Sequence, residues 1–127
     1  MRVAIALLVT LATLAAGETL DRVAVRVGSG AITASAVRRH LRMEAFFSGH
    51  APELDAASRR KAAERLIDQN LIRRELDLNR FAPPAAADVE KVIAELLKTR
   101  REDATALARA LEAYGFTLED LRNDVQY

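Results

Sequence analysis

The chain has 127 residues, half of them apolar by type and 29% charged, with 19 Lys and Arg against 18 Asp and Glu. That length suits one domain. The apolar fraction and the net charge of +1 exclude a disordered chain, and the balanced charge supplies no field to draw nucleic acid. With no Cys there is no disulfide framework, no thiolate nucleophile and no Cys-based zinc site.

Met1-Arg2 is followed by an uncharged run from Val3 to Ala16. Such a run makes about 21 Å of helix, short for a membrane span but within the range of a secretory h-region. Ala15-Ala16-Gly17 places small residues where a signal peptidase cuts. Residues 1–17 therefore read as a signal peptide and residues 18–127 as one exported domain. An uncleaved anchor is the competing reading. Arg2 is the only charge in the leader, so the remainder carries 18 charges of each sign.

The fold expected for residues 18–127 is mainly α, a small N-terminal β-hairpin followed by about five helices. Leu20 to Val27 alternates Val23, Val25 and Val27 with Arg22, Ala24 and Arg26, the period of a half-buried strand. Gly28-Ser29-Gly30 is a tight turn, and Ala31-Ile32-Thr33 returns as a short strand. Gly-Ser-Gly lacks the Lys and Thr of a phosphate loop. Thr33 or Ser35 caps a first helix to about Phe47, with Val37, Leu41 and Ala45 on one stripe. Phe46 lies about 180° from Val37, so this helix is apolar on opposed sides. Either both sides are buried between neighbours, or one is a surface for apolar segments of another chain.

Ser48 to Pro52 breaks that helix. Asp55 or Ser58 starts a long second one, to about Asn79. Its buried side is expected at Ala63, Leu66, Ile67, Asn70, Leu71 and Leu78, opposite a solvated charged face. Phe81-Ala82-Pro83-Pro84 is a rigid break. A third helix from Ala85 to about Lys98 carries Val89, Val92, Ile93, Leu96 and Leu97. After the polar link 99–103, a fourth carries Leu107, Ala110, Leu111 and Tyr114 and stops at Gly115. Thr117 with Asp120 three residues on is a capping box opening a fifth helix with Leu118, Leu121 and Val125. That helix runs to Tyr127 and reads as cut short.

Little here supports catalysis. His40 and His50 are ten residues apart across a helix end, without metal-ligand spacing. Ser35 and Ser58 lack a nucleophile elbow with a matched His and acid. The carboxylates sit on charged helix faces, and three aromatics near the end do not make a base-stacking platform. No catalytic residue, cofactor or metal is expected from the residues.

Three stretches resemble the N-terminal region of SurA-type periplasmic chaperones, a family that often carries parvulin-like peptidyl-prolyl isomerase domains. They are Leu20 to Thr33 after the signal peptide, Ala63 to Ile72 (AERLIDQNLI), and Tyr114 to Leu121 (YGFTLEDL). They span most of residues 18–127 in the family's order. The chain departs from the pattern where Asn usually stands near Gly28. It also has Ala36 in place of an acid, and Ala85 and Phe81 in place of a helix cap and a Gly. No parvulin domain is present, so the resemblance implies no isomerase activity. It implies ATP-independent binding of unfolded polypeptides in the periplasm, such as outer-membrane protein precursors. The balanced charge argues against nucleic acid as a partner, and no stable membrane insertion is expected after the signal is cleaved.

A holdase needs an apolar groove with a polar rim. Met43, Phe46 and Phe47 are the candidate peptide-binding residues, because Met and aromatics adapt to varied partners. Two other functions compete: a helical adaptor or interaction module that docks one folded partner, and an N-terminal fragment of a peptidyl-prolyl cis-trans isomerase. A DNA-binding reading of Arg38-Arg39 and Arg59-Arg60-Lys61 ranks last for an exported, neutral domain.

Overall fold

The computed structural model describes residues 22–126 apart from Ser29. The signal-peptide reading of residues 1–17 and the terminal Tyr127 lie outside the described residues. The chain is mainly helical, with a two-stranded antiparallel hairpin leading five helices. β1 (Val23–Val27) pairs with β2 (Gly30–Thr33), Val27 opposite Gly30 and Val25 opposite Ile32, with an irregularity between Val23 and Val25. Gly28 takes the positive φ of 58° that this tight turn needs.

The five helices are α1 (Ala34–Ser48), α2 (Ala56–Leu78), α3 (Ala86–Arg100), α4 (Ala104–Glu112) and α5 (Leu118–Gln126). Short polar side chains set most of their starts. Thr33 Oγ1 accepts the Ala36 N–H at 3.2 Å. Asp55 Oδ1 accepts from Ala57 and Ser58, and Asp103 Oδ1 from Ala106. The capping box is present: Thr117 Oγ1 accepts the Asp120 N–H at 3.1 Å, and Asp120 Oδ2 accepts the Thr117 N–H at 2.8 Å. Ala85 opens α3 without any side-chain bond.

Two buried clusters share one helix. The larger joins Met43 and Phe46 of α1 to Val89, Ile93, Leu107, Leu111, Phe116 and Leu121. The smaller joins Val37 and Leu41 of α1 to Ile32 and Ala62, with Val25, Val27, Leu66 and Ile67 packed against it. α1 is thus the common wall, and its opposed apolar sides face opposite neighbours.

The expectation for α2 holds for one half only. Ala62 is buried, and Ala63, Leu66 and Ile67 are partly so, where α1 and the hairpin lie against them. Asn70, Leu71 and Leu78, expected on the buried side, are exposed, as is every residue from 68 to 88. Helical periodicity marks a face, but burial needs something opposite it. No described element covers this stretch.

Candidate functional site

The distal half of α2 carries two rows of apolar side chains. Leu71 and Leu78 are two turns apart on one side. Ile72 and Leu76, four residues apart, stand about 100–140° round the helix. All four are among the exposed large hydrophobics, with Leu78 at 69% and Ile72 at 60%. The end of α2 adds Phe81. Arg80 turns the chain at φ 55°, and the Phe81 N–H donates to the Leu76 carbonyl at 3.0 Å while the Arg80 N–H donates to Asp77. This Schellman closure brings Phe81 back beside Leu76.

Leu71 on one side, and Ile72 with Leu76 on the other, each border a hollow. One, of about 440 Å³, lies between Ile72, Leu76, Phe81, Pro83 and Pro84, with Gln69 and Gln126 at its edge. The other, of about 270 Å³, lies between Leu71 and the hairpin residues Val27 and Ile32. Arg73 and Asp77 border both, so a polar ridge separates two apolar troughs. The helical period at Leu71 and Leu78 signalled an apolar side. Nothing in the pattern distinguished a covered side from an open one.

Elsewhere, a cleft of about 340 Å³ lies where α1, α2 and α5 meet. Arg39, His40, Glu44, Gln69, Arg73, Asn123 and Asp124 give it polar walls, while Met43, Phe47 and Leu66 add apolar ones. Arg39 pairs with Asp120 at 2.8 Å, tying α1 to α5, and Arg65 pairs with Glu44, tying α2 to α1. Burial pushes the His40 pKa down and the Asp124 pKa up. The Thr117 N–H and hydroxyl, then Arg39, hold the Asp120 carboxyl below its usual range. Arginines also cover the aromatics of the larger core: Arg39 and Arg42 flank the Phe116 ring at 5.1 and 5.4 Å, and Arg100 lies 4.7 Å over Phe46.

The three candidate peptide-binding residues do not form one surface. Met43 is 2% exposed and Phe46 1%, both inside the larger core, where α3, α4 and α5 supply their neighbours. Phe47 alone stands out, at 47%, its ring edge-on to Phe46. Met43 and Phe46 are therefore packing residues, not parts of an open apolar surface; of the three candidates Phe47 alone is uncovered, and the distal half of α2 with Phe81 carries the longest run of exposed apolar groups. His50 is exposed, its carbonyl accepting from the Tyr114 hydroxyl at 3.1 Å.

Among the described residues no group of three or more His, Asp or Glu could hold a metal ion, and no helix is long and apolar enough to cross a membrane. No family model, no curated protein and no solved structure matches the chain.

Proposed function

We propose that the chain is an ATP-independent chaperone module that binds unfolded polypeptides, with outer-membrane protein precursors as the expected clients. The observation that carries this reading is the double row Leu71, Leu78 and Ile72, Leu76, extended by Phe81, left open to solvent on the distal half of α2. Apolar side chains so grouped and edged by Arg73, Arg74, Glu75 and Asp77 suit an apolar partner segment better than water. Two separate troughs favour several weak contacts over one tight site, which allows release without a nucleotide. The leader-like residues 1–17 and the resemblance of Leu20–Thr33, Ala63–Ile72 and Tyr114–Leu121 to SurA-type chaperones support the periplasm as the place of action. The proposed seat moves from Met43 and Phe46 to α2 and Phe81.

The test dilutes a chemically unfolded outer-membrane protein into buffer with the chain and follows light scattering. Suppressed aggregation near equimolar ratio, without ATP, is the expected result. Ile72→Ser with Phe81→Ser weakens that suppression while circular dichroism stays unchanged, because both residues are exposed. A well-folded chain that leaves aggregation untouched overturns the reading and favours an adaptor for one folded partner.

A further inference from the structure

The cleft between α1, α2 and α5 holds a buried polar atom without a partner. His40 Nε2 is out of contact with solvent and makes no hydrogen bond. Its nearest carboxylate oxygen, Oε1 of Glu44, is 3.7 Å away, beyond hydrogen-bonding distance, and Glu44 is already held by Arg65. Charges face the imidazole's cleft from all three helices: Arg39 and Glu44 from α1, Arg65 and Arg73 from α2, Asp124 from α5. Asp120 is engaged with Arg39.

An uncharged imidazole tolerates this position. An imidazolium is disfavoured there, because a buried charge needs a close acceptor or water and Glu44, at 3.7 Å, is already committed to Arg65. It has two routes. It can draw Glu44 from Arg65, which loosens α1 from α2, or it can let water into the cleft. Both open the same junction and uncover Met43, which lines the cleft. We propose that this cleft is a proton-operated joint, in which uncharged His40 lets α1, α2 and α5 close together and protonation of Nε2 parts them.

Burial, helped by Arg65 and opposed by Asp124, lowers the His40 pKa below 6.5 in the closed state. The closed state thus gains stability that is fully present above pH 6.5 and is lost as pH falls from there through the lowered value. Asp124 acts with the opposite sign. Its raised pKa favours the closed state in acid and withdraws that support as pH rises.

The joint is tested on the full chain through Met43, the only methionine besides Met1. The rate of Met43 sulfoxide formation under hydrogen peroxide, measured by mass spectrometry against free methionine, is compared between about pH 7.5 and 5.5. The expected result is a rate ratio that rises in acid, by up to about tenfold per pH unit, with His40→Gln abolishing the rise. A flat ratio in the unmodified chain, or a rise that His40→Gln keeps, overturns the proposal. Should His40→Gln fail to fold, the His50→Gln variant leaves a single imidazole for titration by NMR. A rise in Met43 oxidation that follows this titration supports the joint, and a rise that does not follow it, or no rise, overturns it.

Discussion

α1 and the distal half of α2 are both helices with apolar residues on more than one side, and their environments are opposite. In α1, Val37 and Leu41 meet the hairpin and Ala62, while Met43 and Phe46 meet α3, α4 and α5, so both sides are covered. In α2, Leu71 and Leu78 on one side and Ile72 and Leu76 on the other remain open. The difference lies in the neighbours, not in the helices. The same kind of pattern builds a core wall where the chain folds back on it and an uncovered surface where it does not.

The comparison breaks or holds first on stability. Phe46→Ala, which removes a ring buried among Arg100, Tyr114 and the larger cluster, is expected to cost about 3–5 kcal/mol in urea or thermal unfolding. Ile72→Ala is expected to stay within about 0.5 kcal/mol. Comparable losses at the two sites would mean that α2 is covered after all. Asp120→Ala removes a capping partner and the tie to Arg39, for an expected loss of about 1–2 kcal/mol. Because the Asp120 pKa is lowered, its contribution is present above the ordinary carboxylate range and fades as pH falls through the lowered value. Acid unfolding curves of the two proteins should therefore converge at low pH.

Smaller effects sharpen the contrast at the ends of helices. Ala85→Ser supplies the cap that α3 lacks and is expected to raise stability by up to about 1 kcal/mol. Arg101 closes α3 at φ 55°, where a side chain is strained, and Arg101→Gly is expected to gain about 0.5–1 kcal/mol in thermal unfolding.

The legible parts of this fold were those written in local chemistry. Alternating valines marked the hairpin, and Thr33, Asp55 and Thr117 marked helix starts through bonds to their own backbone. The opposed apolar sides of α1 were legible too, along with the possibility that both are buried. The contents of the site were not. Leu71 and Leu78 fall on a helical period that implies burial, yet among the described residues no neighbour covers them. Met43 and Phe46 have the residue types of an adaptable groove, yet α3, α4 and α5 around them decide that they are core. The His40 cleft depends on Asn123 and Asp124, more than 80 residues away in the chain, and no local spacing announces it.

The position of α1 between two clusters has a kinetic consequence. Neither the hairpin with α2 nor the group α3–α5 has a complete core until α1 is in place, since each takes buried residues from it. Ordering α1 is therefore the step at which both halves gain their long-range contacts, and substitutions such as Leu41→Ala and Met43→Ala should slow folding more than they speed unfolding. The two clusters should then melt in a single cooperative transition, while the distal half of α2 exchanges its amide hydrogens through local opening well before that transition is reached.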